Sequence, residues 1–228
     1  MLDGRTGGAD RVDLDGTGAG LAAYGLHVGA RDVAIRGMGI HGFGLAGVFV
    51  AEAANAVVGG PRRGQGNAIW GNRTGILAAG SGTKGLKVQG NCIGAPDCSV
   101  LPETNEQVGL SVSDGATEVL VGGDAPDAGN TILGGVYVSG AATRRVTLRG
   151  NTLEVPADRL GGGEADLRLP FDLAEDGPSC APWEDGQGPN DGMPPPRVSE
   201  LTAGTVAGRT RPGATVEVFR VHHLGTGR

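Results

Sequence analysis

Glycine recurs in this chain just ahead of short alternating apolar runs, and that recurrence leaves few folds open. The runs are Gly25-Leu26-His27-Val28, Gly47-Val48-Phe49-Val50, Gly75-Ile76-Leu77-Ala78, Gly109-Leu110-Ser111-Val112 and Gly135-Val136-Tyr137-Val138, at intervals of 22, 28, 34 and 26 residues. A second series closes on Gly: Val33 to Gly37, Ala56 to Gly60, Leu86 to Gly90, Val119 to Gly123 and Val146 to Gly150. A third follows it: Met38-Gly39-Ile40, Asn67-Ala68-Ile69, Asn91-Cys92-Ile93, Asn130-Thr131-Ile132 and Asn151-Thr152-Leu153. Each segment is a short period-2 strand. Repeats of this length mean stacked units. Three strands per unit, Gly turns and no helical period between them select a parallel β-helix over a leucine-rich repeat or a propeller. The expected fold is all-β, a right-handed three-sheet parallel β-helix of about five coils over residues 1–155. An acidic Gly/Pro-rich linker over 156–196 and a few further strands over 197–228 follow it.

Side chains alternate across a strand, so the unit assigns faces. The expected inward columns are Leu26, Val48, Ile76, Leu110 and Val136 in the first sheet, then Ile35, Val57, Val88, Val121 and Leu148 in the second. The third is Ile40, Ile69, Ile93, Ile132 and Leu153. Aliphatic stacks fill a narrow core without large rings, in keeping with an aromatic content of 4%. Asn67, Asn91, Asn130 and Asn151 hold one position in four successive coils, two residues before the inward Ile or Leu, and are expected to stack as a structural ladder at a corner. The 45 Gly and 13 Pro would otherwise suggest low complexity, and the period assigns most of the Gly to corners that need positive φ.

The formal charge is −6, from 19 Lys plus Arg against 25 Asp plus Glu, and no basic cluster is visible along the chain. That argues against binding nucleic acid or anionic lipid. No apolar run approaches a membrane span, and the first residues do not read as a signal peptide. Cys92, Cys98 and Cys180 fit no zinc pattern. Cys92 and Cys98 either close a small disulfide loop or stand as two thiols, with Cys180 left over in both cases.

With units such as Val88-Gln89-Gly90-Asn91-Cys92-Ile93-Gly94, the chain resembles bacterial right-handed parallel β-helix repeat proteins of the secreted or surface type over about residues 3–222. Such proteins continue into an acidic segment and then an Ig-like sandwich. Phe171 to Gly177, Gly188-Pro189-Asn190-Asp191-Gly192, Pro194-Pro195-Pro196 and Val206 to Phe219 follow that order. The resemblance implies that residues 197–228 are the start of an incomplete Ig-like domain and that the chain is a fragment of an extracellular or cell-surface protein. The fold also resembles that of pectate lyases, polygalacturonases and alginate epimerases, which carry acids, with Arg or Lys partners, on outward columns.

The outward columns of the first sheet are His27, Phe49, Leu77, Ser111 and Tyr137, and Gly29, Ala51, Ala79, Ser113 and Ser139, with no carboxylate in either. That of the second is Arg36, Val58, Gln89, Gly122 and Arg149. Glycoside hydrolysis by the usual route needs two carboxylates. The expected function is therefore a non-catalytic scaffold, adhesion or carbohydrate-binding element. The alternative is a polysaccharide lyase, hydrolase or epimerase acting on acidic glycans. Phe49, Leu77 and Tyr137 form an apolar stripe, with Phe49 and Tyr137 ~14 Å apart at three strand spacings, suited to sugar rings or to a neighbouring domain. Asp172, Asp176, Glu184, Asp185 and Asp191 are oxygen donors among Gly and Pro and are the calcium candidates, set against a solvated acidic linker. Gly37-Met38-Gly39-Ile40-His41-Gly42 has the dinucleotide-loop spacing but no helix after it. His27 and His41 have no acid at a readable spacing, and Asn72-Arg73-Thr74 is a glycosylation sequon in form only.

Overall fold

The computed structural model describes residues 1–5, 11–98, 103–154, 171–173, 188–193, 197–202, 204–210, 212–213 and 216–217. Three parallel six-stranded sheets make up the body. The first holds Tyr24–Val28, Ala46–Ala51, Thr74–Ala79, Val108–Ser113, Val136–Val138 and Phe171–Leu173. The second holds Leu2–Asp3, Ala34–Arg36, Val57–Gly59, Lys87–Gln89, Leu120–Gly122 and Thr147–Arg149. The third holds Val12–Asp15, Met38–His41, Ala68–Trp70, Cys92–Ile93, Thr131–Leu133 and Thr152–Glu154. The chain visits second, third and first sheet in turn, so the fold is a parallel β-helix. It has six coils where five were expected. Leu2–Asp3 and Val12–Asp15 start an earlier coil, and Phe171–Leu173, inside the stretch read as linker, pairs with Val136–Val138. Residues 197–201 and 206–209 form an antiparallel hairpin.

The register confirms the expected inward columns of the first and third sheets and corrects the second. Val58, not Val57, is the Cα partner of Ile35 and Val88, and it is fully buried. Val57 lies opposite Ala34 and Lys87 on the outer face. A one-residue slip inverts every side chain of a strand, so the outward column there is Arg36, Gly59, Gln89, Gly122 and Arg149. A further inward row in this sheet, Ala56, Leu86, Val119 and Val146, is buried as well.

The Gly residues that lead the first-sheet strands have a second reason to be Gly. A Cβ at Gly25, Gly47, Gly75 or Gly109 would stand 2.8, 2.8, 2.9 or 2.7 Å from the Cγ2 of Ile40, Ile69, Ile93 or Ile132. Those four Gly do not adopt positive φ. Close approach, not left-handed backbone, fixes them: each third-sheet Ile and the carbonyl of the next coil's leading Gly (3.0 Å or closer) crowd the notch that a missing side chain leaves.

The corner between second and third sheets carries the Asn ladder. The Asn67 Nδ2 donates to Asn91 Oδ1 (3.0 Å), Asn91 to Asn130 (2.9 Å) and Asn130 to Asn151 (2.8 Å). Each Nδ2 also donates to a strand carbonyl, of Ile35, Val58, Val88 and Val121 in turn. The Oδ1 of the last three accepts the backbone N–H of the preceding Asn as well. Both donors and both acceptor sites of the Asn91 amide are used, so the corner buries its polar groups without loss. A second, shorter ladder at the next corner had no expectation behind it. Asn72 Nδ2 donates to Asn105 Oδ1 (3.1 Å) and to the Ile40 carbonyl (3.1 Å). Asn72 is fully buried, which removes the sequon from reach of any glycan-transferring enzyme in the folded chain.

Asn91→Ala is expected to strand partners on both sides, including the N–H of Asn67 and the carbonyl of Val58. At 1–3 kcal/mol for each buried orphan, the loss of unfolding free energy should be about 3 kcal/mol or more in urea denaturation, with Lys87→Ala, on the exposed face, near zero.

Candidate functional site

The outer face of the first sheet is a single column running the length of the described solenoid. Register places His27, Phe49, Leu77, Ser111, Tyr137 and Asp172 at the same position in successive coils. Parallel in-register strands set such neighbours about 4.8 Å apart, a stacking distance for flat rings. The His27 and Phe49 rings stack at 4.9 Å and 19°, and Tyr24 stacks on Phe49 at 4.7 Å and 23°. Tyr24 and His27 are exposed; Phe49, Leu77 and Tyr137 are half-buried. Ala51, Ala79 and Ser113 run in register beside them. The result is a ridge of rings and Leu77 along a small-residue trough, ending at Tyr137 and Asp172. The column was expected to lack acids. Its sixth position is a carboxylate, because Phe171–Leu173 joins the sheet.

Tyr24 was not anticipated in this group. Strict alternation from the inward Leu26 would turn Tyr24 inward. Gly25 breaks the alternation: its missing Cβ also points inward, at Ile40. Tyr24 therefore emerges on the outer face, against Phe49.

A second cluster, on the outer face of the third sheet, was also missed. Asp15, His41 and Trp70 are register partners in the first three coils. The His41 and Trp70 rings stack at 4.4 Å and 18°, and the Arg11 guanidinium lies 5.1 Å from the Trp70 ring centre, a cation–π arrangement. Arg11 Nε donates to Asp13 Oδ1 (2.7 Å), and its Nη1 donates to the Pro96 carbonyl (2.7 Å). Pro96 lies in the loop closed by the Cys92–Cys98 disulfide, whose Cα atoms are 5.2 Å apart. His41 Nδ1 is 3.8 Å from Asp15 Oδ1. The Thr17 backbone N–H and then its hydroxyl hold the Asp15 carboxyl below its ordinary 3.8, with a smaller contribution from His41. Trp70 is 8% exposed. The cluster is closed by its own contacts and acts as a clamp on the disulfide loop. The acid facing His41 is 26 residues upstream, and only a coil alignment carried one unit earlier would have exposed it.

Of the calcium candidates, Asp191 pairs with Arg144 at 3.2 Å, and Asp172 occupies the first-sheet column, 5% exposed. Asp176, Glu184 and Asp185 lie outside the described residues. Among the described residues, no three His, Cys, Asp or Glu side chains are grouped to hold a metal ion. Asn190 docks on the last coils, exchanging two hydrogen bonds with the Val146 backbone (2.8 and 2.9 Å). Among the described residues no helix is long and apolar enough to cross a membrane.

Two outcomes are expected of the third-sheet cluster. Reducing the Cys92–Cys98 bond in a Trp183→Phe background should free Pro96 from Arg11 and shift Trp70 emission to the red; an unchanged spectrum would contradict the clamp. The stability that Asp15 contributes is fully present above its ordinary value and is lost as pH falls through its lower folded value. Asp15→Asn should therefore lower the urea midpoint at neutral pH and leave it unchanged in strong acid. Comparisons with protein-family models, with curated proteins and with solved structures give no match to this chain.

Proposed function

We propose that this chain is a non-catalytic β-helix module of the cell exterior that binds carbohydrate along the outer face of its first sheet. The observation that carries the reading is the in-register column from His27 through Phe49 and Leu77 to Tyr137, with Tyr24 stacked on it. A glycan laid along the coil axis meets apolar side chains at coil spacing for its C–H surfaces. The hydroxyl of Ser113, which donates to Asp114 Oδ2 at 3.1 Å and can accept from a sugar, and the phenol of the half-buried Tyr137 suit its O–H groups. The neighbouring Ala51 and Ala79 leave room for sugar rings beside the ridge, which is how extended ligands use aromatic ridges with few placed polar groups. A disulfide fits an oxidising compartment.

The alternative, chemistry on an acidic glycan, has one observation in its favour: the Asp172 carboxylate below Tyr137 in the same column.

Glycan-array screening followed by titration tests the reading. Phe49→Ala combined with Tyr137→Ala should weaken the best glycan about tenfold or more, roughly 1.4 kcal/mol. Absence of binding to any glycan by the intact chain would overturn the proposal. Release of reducing or unsaturated ends that disappears on Asp172→Asn would replace it with the catalytic alternative.

A further inference from the structure

The sequence has no basic run, yet the fold gathers four Arg from three separate stretches at one place on the outer face of the second sheet. Arg36 is outward in the second coil, and its Nε donates to the Gly59 carbonyl at 3.1 Å. Gly59 leads into the turn that carries Arg62 and Arg63, both exposed. That turn is closed by Gln65, whose backbone N–H donates to the Arg62 carbonyl at 3.1 Å. Arg5, from the first coil, reaches the far side of the same turn. A Cβ at Gly37 would stand 2.7 Å from Arg5 Cγ, and one at Gly64 would stand 3.3 Å from Arg5 Nη1. Gly37 and Gly64 both adopt positive φ and leave the slot in which Arg5 lies. Arg36 thus reaches the turn at Gly59 and Arg5 reaches it at Gly64, and Arg62 and Arg63 lie between those two positions along the chain.

Among the described residues, none of these four guanidiniums forms an ion pair. Among the described residues the acid beside the group is Asp3, which is the register neighbour of Arg36 and accepts the Arg5 backbone N–H at 3.0 Å. Of the other described Arg, five are ion-paired, Arg11 with Asp13, Arg31 with Asp32, Arg144 with Asp191, Arg145 with Glu118 and Arg149 with Asp124, while Arg73, Arg197 and Arg209 form no ion pair among the described residues. Four cations against the one neighbouring acid, with no ion pair among the described residues, give this corner of a chain of net charge −6 a local field of opposite sign to the whole. All four are Arg and none is Lys. The planar guanidinium fork matches two oxygens of a tetrahedral oxyanion, where an ammonium offers a point charge.

We infer that this corner is a binding site for a sulfated polysaccharide, separate from the first-sheet face and independent of the function proposed for it. Sulfate esters present the forked oxyanions that the four guanidiniums match, and they recur along a chain, as four adjacent cations require. The disulfide favours a partner of the oxidising exterior over nucleic acid. The cluster also holds no aromatic side chain for stacking bases, the usual companion of Arg in single-strand binding.

Heparin is the probe, titrated calorimetrically against the intact chain at two salt concentrations, with chemically desulfated heparin, duplex DNA and anionic phospholipid vesicles in parallel. The expected result is binding of heparin and not of the other three. Arg62→Ser with Arg63→Ser lies on an exposed turn and should leave the fold intact by circular dichroism. It should weaken heparin binding about tenfold or more and reduce the salt dependence by about two counterions. Arg197→Ser with Arg209→Ser, on the hairpin, should bind as the parent does. The Phe49→Ala, Tyr137→Ala variant should keep heparin binding, which separates this site from the first-sheet face. Equal affinity for desulfated heparin, unchanged affinity of the Arg62, Arg63 variant, binding of DNA or vesicles in preference to heparin, or no heparin binding would each overturn the inference.

Discussion

The structure depends on identical positions of successive coils lying in register, and the buried Asn ladder at one corner helps to hold that register. A parallel sheet joins neighbouring coils by backbone bonds, but its short strands leave corners where N–H and C=O groups turn away from the ladder. Water cannot reach the inner side of those corners. Asn67, Asn91, Asn130 and Asn151 supply the missing partners from within, each amide bonding both the next amide and a strand carbonyl. A shift of the Asn91 coil by one residue would break three such bonds and turn its aliphatic side chains outward at the same time. Polar satisfaction and apolar burial therefore specify the same register.

The core follows from that constraint. With coils about 4.8 Å apart, side chains stack on their own kind, and β-branched residues fill the section without voids. The third-sheet Ile column is the clearest case. Its Cγ2 atoms sit within 2.7–2.9 Å of where a Cβ of Gly25, Gly47, Gly75 and Gly109 would stand, too close for one to be there. Ile in one sheet and Gly at the head of the next are two halves of one packing solution. The same rule acts on the outside, where it shapes binding surfaces. Rings at equivalent positions stack, as His27 on Phe49 and His41 on Trp70 do. Unpaired like charges at such spacing would repel, so a cluster of them needs an external counter-charge to be neutral.

Much of the architecture was legible because the repeat is nearly regular from Gly25 to Leu153. The inward columns of the first and third sheets, the first-sheet outer column and the positions of the four Asn follow from aligning short strands. Three things were not legible, for separate reasons. Val57 and Val58 are chemically alike, so only pairing decides which faces in. Gly25 is inward without a side chain, and alternation counted through it misplaces Tyr24. The second Asn pair, Asn72 and Asn105, precedes the first-sheet Gly by three residues in one coil and four in the other, so no fixed spacing marks it.

The remaining omissions share one cause. Asp15 beside His41, Arg11 over Trp70, and Arg5 against Gly64 of the Arg62–Arg63 turn all draw on the part of the first coil ahead of Tyr24, whose two strands are short, polar and partly exposed. Those two strands carry no Gly-closed apolar signature, so the repeat becomes readable only at Gly25. Phe171–Leu173 is missed at the other end for the same reason, and with it Asp172. The inner coils, where burial demands aliphatic periodicity, announce the fold. The end coils are released from part of that demand, and there the sequence is free to place charged and aromatic side chains. In a solenoid of this kind the inward residues that advertise the architecture are those least able to recognise a ligand, and recognition falls to the outward positions of the same runs and to the end coils where the repeat is hardest to read.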